Sequence, residues 1–485
     1  THSPDRHRHS PTCVLYRRKY ALSRSPSPQP NLRVVPEEVR TLQIAIATAQ
    51  PACCTGGSTH SSDRHRHSPT RHHYRIWPKP GAAEVERQYS SPMDLADVGT
   101  ELIEAAQGVQ DHTVELRRAI HADPEIGLDL PKTQKKILEA LDGLGLDITT
   151  GKALTSVVAD LDTGKPGPTI LLRGDMDALP LQEDLDVAWR SQNEQMMHAC
   201  GHDAHVAMLL SAARLLSENK SELTGKIRFM FQPGEEGYHG AKYMIDEGVL
   251  DGVDRAFALH VFTQMRSGHF FSRGGPLMAS ADRFEITING SGGHASMPHG
   301  CIDPIPAAAS TVLGLHAMVG RTTPASEAAV VTVSHINAGT TNNIIPHSAF
   351  MEGTIRTLNE DVRDTLHTNL MNVANHNAQA HNCSCSAEII AGYPVTINNE
   401  EEVQRAAAVA EAVVGEGSFH IMREAVMGAE DWSYVLNKVP GSMAFLGVCA
   451  PDLTPEEAAP NHSNLMTIDE DAMAQGVAMY TAMAM

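Results

Sequence analysis

The densest group of reactive side chains is Met197-His198-Ala199-Cys200-Gly201-His202-Asp203-Ala204-His205. A thiolate and an imidazole two residues apart, on a turn that opens a helix, can grip one metal ion. Zn–S and Zn–N bonds of about 2.3 and 2.1 Å demand such proximity. The bland reading of Cys200-x-His202 is a buried thiol beside helix-capping His and Asp, and on these residues alone the two readings balance. A second group is Phe231-Gln232-Pro233-Gly234-Glu235-Glu236-Gly237. There one carboxylate could ligate a metal while its neighbour stays free as a base, and like charges side by side would raise one pKa toward working pH. A bare Glu-Glu is more often an exposed acidic turn. The third group, Arg173-Gly174-Asp175-Met176-Asp177-Ala178-Leu179-Pro180, follows an apolar run. Asp175 and Asp177 point the same way on an extended chain, so they could face a metal site or brace its ligands. The Arg-Gly-Asp triplet resembles a cell-attachment motif, which the end of a buried strand would hide. His260 and His462 are isolated, and either alone is more often structural.

Position gives these residues their value. Short apolar runs at Ser156–Asp160, Thr169–Leu172, Lys226–Phe231 and Arg255–Leu259 read as strands, and helices fall between them at about 203–217 and 240–248. A helical run from Met93 to Asp123-Pro124 and a helix at about 131–143 precede them. This alternation predicts an α/β fold whose central mixed sheet is flanked by helices. The Asp pair, the Glu pair and His260 then fall at the carboxyl ends of strands, the edge where open α/β sheets bind ligands. Between about 276 and 387 the style changes to β-α-β-β-α-β: strands at Arg283–Ile288, Ala328–Ile336, Ala349–Arg356 and about 384–391, helices at about 304–319 and 359–380. That order suits an inserted α+β, ferredoxin-like satellite domain. The catalytic domain is expected at 93–275 and 388–485, with the satellite at 276–387.

Residues 1–92 differ from the rest. They are rich in Ser, Pro, His and Arg, and the stretch 2–12 returns at 60–70 with one Ser for Pro. No periodic apolar face spans them, so disorder is the expectation. The chain begins at Thr1 while Met93 opens a regular sequence; a start near Met93 is expected, with an organelle transit segment as the other reading. Residues 1–92 hold 14 Lys+Arg and 6 Asp+Glu, which leaves 38 − 14 = 24 basic and 58 − 6 = 52 acidic residues beyond. So acidic a body repels nucleic acid and anionic membranes. No stretch reaches the roughly 18 consecutive apolar residues of a membrane helix. Eight Cys in a chain of 485 residues do not form a disulfide framework, so a reducing, cytoplasmic setting is expected.

Taken together, the motifs resemble metallopeptidase family 20, and within it the amidohydrolase branch of hippurate hydrolases, N-acyl-amino-acid deacylases and auxin-conjugate hydrolases. The stretches that carry the resemblance are 117–125, 174–180, 198–205, 231–237, Gly292–His299, Asn343–Pro346, Gly353–Arg356 and Glu430-Asp431. It implies two divalent ions (Mn, Zn, Co or Ni) with Cys200 bridging them, a place other branches give to Asp. His202 and His260 would complete one ion, Glu236 and His462 the other. Glu235 resembles the general base and Asp177 its supporting carboxylate. His294 is similar to the residue that stabilises the oxyanion, and Asn343 and Arg356 to those that hold the substrate's carboxylate. Gly127-Leu128-Asp129-Leu130-Pro131 departs from the family's Glu-containing stretch and is expected to affect packing, not chemistry. The small-molecule substrate implied is an N-acyl amino acid, and a homodimer through the satellite domain fits the family. A dipeptidase or carboxypeptidase of the same fold is the first alternative; a non-catalytic binding homologue is the second.

Overall fold

The computed structural model describes residues 95–485, with side chains from residue 99 onward. The expectations for residues 1–92 lie outside the described residues. In chain order the strands begin β1 (Asp147–Thr150), β2 (Val157–Asp162), β3 (Thr169–Asp175), β4 (Lys226–Gln232), β5 (Arg255–Phe262), β6 (Phe270–Ser272), β7 (Gly275–Met278) and β8 (Asp282–Asn289). They continue β9 (Gly293–His294), β10 (Ala329–Ala338), β11 (Ile344–Ile345), β12 (Ser348–Thr357), β13 (Ser384–Ile390), β14 (Thr396–Asn398), β15 (Phe419–Ile421) and β16 (Gly441–Gly447).

The larger sheet has eight strands in the order β1-β2-β4-β3-β5-β16-β6-β15. Its centre, β4, β3, β5 and β16, is parallel, and β2 joins β4 antiparallel. Parallel strands are covered on both faces and so read as unbroken apolar runs. Alternate residues divide between the faces. Leu172, Phe229, Phe231 and Leu259 share a core with helices Gln110–His121, His202–Glu218, Glu400–Val414 and Met473–Met483. Leu171, Met230, Ala258 and Phe445 share another with helices Gly240–Asp246 and Ser433–Leu436. The expected mixed sheet with flanking helices is present.

Two expectations shift. The helical run that starts near Met93 breaks at Val109 into Leu95–Gly108 and Gln110–His121, where Gly108 weakens a helix interior. The strand expected to stop at Leu259 continues to Phe262, because His260, Val261 and Phe262 pair with Phe445, Leu446 and Gly447 of β16. His260 therefore lies within a strand.

The second sheet, β10-β12-β8-β13, is antiparallel throughout. Helices Pro304–Thr322 and Glu360–Ala380 cover one face, enclosing Phe284, Ile286, Met351, Leu366 and Leu370. The connectivity is β-α-β-β-α-β. Asp282 opens β8, and its buried carboxylate accepts from Arg363 Nε (2.8 Å) and Nη2 (2.7 Å), His367 Nε2 (2.8 Å) and Gly392 N–H (2.9 Å). Burial opposes the charge, but Arg363 and His367 hold this carboxyl well below the usual range. A depressed folded pKa contributes stability in full above the unfolded value of about 3.9, and loses it as pH falls further. Asp282→Asn is expected to cost about 3 kcal/mol at pH 7 and to lose less than the wild type between pH 5 and 3. Urea unfolding at both pH values checks this; parallel acid losses in the two proteins would contradict the assignment.

Candidate metal centre

The carboxyl edge of the parallel strands positions the site. β3 delivers Asp175 and, two residues on, Asp177; β4 runs into the loop of Glu235 and Glu236; β5 carries His260. Between β3 and β4 the chain reaches Cys200 and turns at Gly201 into helix His202–Glu218. Gly201 has φ 91°, and a Cβ there would lie 2.2 Å from Val261 Cγ2. Only glycine takes that turn without strain, and the turn sets Cys200 and His202 against β5.

Cys200 Sγ lies 3.4 Å from His260 Nε2. The other His260 nitrogen, Nδ1, faces the carbonyl of Val261 at 2.8 Å, which puts the ring proton on Nδ1 and turns the Nε2 lone pair toward the thiol. Burial and the neighbouring His205 hold His260 far below the usual histidine pKa, in the neutral form that ligates metals. Glu236 Oε1 is 3.2 Å from His462 Nε2 and 4.0 Å from His202 Nε2. His462 sits in the left-handed region with φ 68°. Its N–H donates to Ala199 O (2.6 Å), while Asn461 Nδ2 donates to Cys200 O (3.1 Å) and Val261 O (3.0 Å). The strained loop is thereby pinned to the segments of Cys200 and His260.

Two triads result. Ligand atoms of Cys200, His202 and His260 lie within 4.8 Å of one another, and so do those of Cys200, Glu236 and His462. The triads share the thiol. Neither ring nitrogen of the buried His202, nor Glu236 Oε1, makes a well-formed hydrogen bond, their charged neighbours Asp175, Asp177 and His462 standing 3.4, 3.5 and 3.2 Å away. Orphaned polar atoms are costly in a protein interior, and a cation held by thiol, imidazole and carboxylate removes that cost. The donor set fits a pair of divalent ions.

Glu235 belongs to neither triad, though its carboxylate lies within 4.8 Å of ligand atoms of His202 and Glu236. Burial pushes its pKa well above the usual carboxyl range, with Glu430, Glu236 and Asp431 adding to the rise. Asp177 fixes its backbone by accepting from Glu235 N–H (3.0 Å) and Glu236 N–H (2.9 Å). Asp177 is thus a brace for the Glu loop. Asp175 behaves differently. It meets Arg173 at 2.6 Å, His205 Nδ1 at 2.5 Å and His202 Nε2 at 3.4 Å. His205 Nε2 accepts from Val261 N–H (2.8 Å), so both its nitrogens are occupied and it ties the helix to β5. His198, in the same motif, turns toward His121 (ring centroids 6.2 Å apart) and belongs to neither triad. Arg-Gly-Asp 173–175 is wholly buried, which excludes a surface attachment role. The divergent segment at Gly127 packs: the Tyr238 ring lies over Gly127, and Leu128 Cδ2 abuts Gly234 in the base loop.

Of the other three expected site residues, Arg356 lies on the second sheet, while His294 and Asn343 lie at the separate β9–β11 ribbon inserted among its strands. His294 pairs with Ile344 in the β9–β11 ribbon, is exposed, and has Ser296 Oγ 2.8 Å from its Nδ1. Asn343 neighbours it, its carbonyl accepting from Ala295 N–H (3.1 Å). Arg356 is half-buried on β12 and donates to Ile355 O (3.0 Å). None of the recorded contacts of these three reaches the triads. The sequence pattern assigns no role of its own to Arg173, Tyr393 or Asn461. For Arg173 a signal existed: a guanidinium inside Ile-Leu-Leu-Arg demands buried carboxylates.

A sequence model of peptidase family M20/M25/M40 matches residues 171–485. Thermostable carboxypeptidase 2 of Saccharolobus solfataricus is 38% identical over 400 residues, covering 81% of this chain and 98% of that protein. IAA-amino acid hydrolase ILR1-like 2 of Arabidopsis thaliana is 38% identical over 397 residues, covering 81% of this chain and 89% of its own length. Among solved structures, a dinuclear metal-binding peptidase of the M20 family from Bacillus subtilis superposes with a TM-score of 0.68 at 32% identity, covering 78% of this chain and 98% of that one.

Proposed function

We propose that this chain, which belongs to peptidase family M20/M25/M40 and is a metal-dependent amidohydrolase or peptidase, cleaves the amide bond of an N-acyl amino acid to a carboxylic acid and a free amino acid. The observation that carries the proposal is the pair of triads sharing Cys200, with a separate buried carboxylate, Glu235, beside them. His202 and His260 would complete one divalent ion and Glu236 and His462 the other, with Mn, Zn, Co or Ni as candidates; bound there, the ions would supply Lewis acidity for the amide carbonyl and for a water. A thiolate ligand favours the softer of them.

Glu235 removes the proton from the attacking water and returns it to the departing amine. Burial and the neighbouring carboxyls raise Glu235 from the ordinary carboxyl range, the direction needed by a group that both takes and returns a proton near working pH. Asp177 keeps Glu235 in place through the two backbone N–H groups it holds. His294 stabilises the developing oxyanion, and Asn343 and Arg356 hold the substrate's carboxylate. All three belong to the stretch that builds the second sheet and its β9–β11 ribbon, so residues 276–387 act as a satellite that closes over the substrate. Two chains would pair through that sheet: β10 is a ten-residue edge strand with Val330 and Ile336 exposed, a surface that strand addition covers. Among the described residues no helix is long and apolar enough to cross a membrane.

The second reading, a carboxypeptidase or dipeptidase, is favoured by the 38% identity to thermostable carboxypeptidase 2. The two readings share an amide whose leaving amine carries a free carboxylate. They are separated by comparing N-acetyl and N-benzoyl amino acids with free dipeptides and N-blocked dipeptides on the metal-loaded protein. Faster turnover of the acyl amino acids is expected, with loss on chelation and return on adding metal. Exclusive cleavage of peptides would overturn the N-acyl reading.

A further inference from the structure

Two stretches of chain join the second sheet to the β7–β14 ribbon, and through it to the rest of the catalytic half: 279–281, between β7 and β8, and 391–395, between β13 and β14. They are bound to each other. Ala281 N–H donates to Tyr393 O (2.9 Å), Gly392 N–H donates to Asp282 Oδ1 (2.9 Å), and Arg363 Nη2 donates to Gly392 O (3.2 Å). A Cβ on Gly392 would lie 1.8 Å from Ala281 O, so a larger residue would wedge the two stretches apart. From this junction the buried phenol of Tyr393 reaches the loop of Glu235. Its hydroxyl donates to Glu235 O (2.5 Å) and accepts from Gly237 N–H (2.7 Å), with His239 N–H at 3.4 Å. His239 packs edge-on against Tyr393, ring centroids 4.9 Å apart, and its Nδ1 lies 3.0 Å from Tyr434 Oη. The Tyr434 hydroxyl in turn donates to Gly392 O (3.4 Å). The circuit closes on the junction where it began. Burial, with Asp431 and Glu235 nearby, keeps the Tyr393 phenol protonated far beyond its ordinary range, so it acts as a fixed hydrogen-bonding group.

The geometry points to Tyr393 as a positioning residue that couples the placement of the second sheet to the backbone of the base Glu235. The inference rests on the reading of Glu235 as general base. A rotation at the 281/392 junction moves Tyr393, and its hydroxyl carries that movement to the Glu235 carbonyl and the Gly237 amide. The base is therefore aligned when the second sheet is seated and misaligned when it is not.

The test uses Tyr393→Phe in the full, metal-loaded chain. Expected is a fall in kcat of roughly tenfold, the order set by leaving buried polar groups without partners, with KM and metal content unchanged. A purely structural tyrosine would lower the unfolding midpoint and leave kcat per folded molecule alone. Gly392→Ala, which wedges the junction, is expected to lower kcat in the wild-type background and to add nothing when combined with Tyr393→Phe. If Gly392→Ala does not fold, Tyr434→Phe, which cuts the circuit on its other side, takes its place. Wild-type kcat in Tyr393→Phe, multiplicative losses in the double variant, or loss of bound metal would overturn the coupling. Activity retained by Glu235→Gln would instead overturn the base reading on which it rests.

Discussion

Glu235→Gln is expected to lower hydrolysis by about a thousandfold or more while bound metal stays at the wild-type level. Glutamine fills the same space and can still accept from Asp431 N–H, which lies 3.4 Å from Glu235 Oε1. The two backbone bonds to Asp177 do not depend on the side chain, so the loop and Glu236 keep their places. What is lost is the ability to take and return a proton. Metal analysis alongside steady-state rates separates this from simple loss of the centre. Hydrolysis surviving in a metal-replete Glu235→Gln protein would remove Glu235 from the chemistry.

Arg173→Met is expected to cost about 3–5 kcal/mol, the usual loss when one member of a buried ionic cluster is removed. Arg173 is fully buried and is the cation facing Asp175 (2.6 Å), Glu430 (2.8 Å) and Asp431 (3.2 Å). It also donates to Gln232 Oε1 (3.0 Å). Methionine replaces only the stem as far as Nε, and it leaves three carboxyl groups facing one another in the interior. Burial already lifts Asp431 to about 8, despite Arg173, so the cluster has little tolerance for losing its cation. The midpoint of thermal unfolding should fall by about 5 °C. An unchanged midpoint would mean that Glu430 and Asp431 are already held neutral without the arginine.

The parts of this centre that could be read from sequence are those set by local pattern. The apolar runs of β3, β4 and β5 gave away the parallel sheet, and with it the edge that gathers Asp175, Asp177, Glu235 and Glu236. Cys200-Gly201-His202 is a local turn whose glycine is fixed by contact with Val261. Tertiary contacts decided the rest. His202 and His205 lie in the same helical turn and look equally fit to bind metal. They differ because the Val261 amide occupies one nitrogen of His205 and Asp175 the other. Likewise Asp175 and Asp177 share a face, yet one balances buried cations while the other clamps a loop. Tyr393 gave no signal at all, since its partners are main-chain groups over 150 positions earlier. β16 was not singled out either, although its seven buried residues complete the parallel centre of the sheet.

The Arg173–Glu430 bond joins positions 257 apart in sequence, and the Asn461–Cys200 bond joins positions 261 apart. Between the members of each pair lies the whole of the second sheet. Contacts of such long range form slowly, because much chain must be ordered before they reward it. During synthesis, β3, β4 and β5 emerge with their apolar faces exposed and Arg173 without Glu430 or Asp431. They wait until β16 can pair with β5, by which time β8 to β13 can already have folded on local contacts. The interval is one in which the larger sheet is vulnerable to aggregation. Expression yield should therefore respond to temperature and chaperone supply more than the stability of the finished protein would suggest.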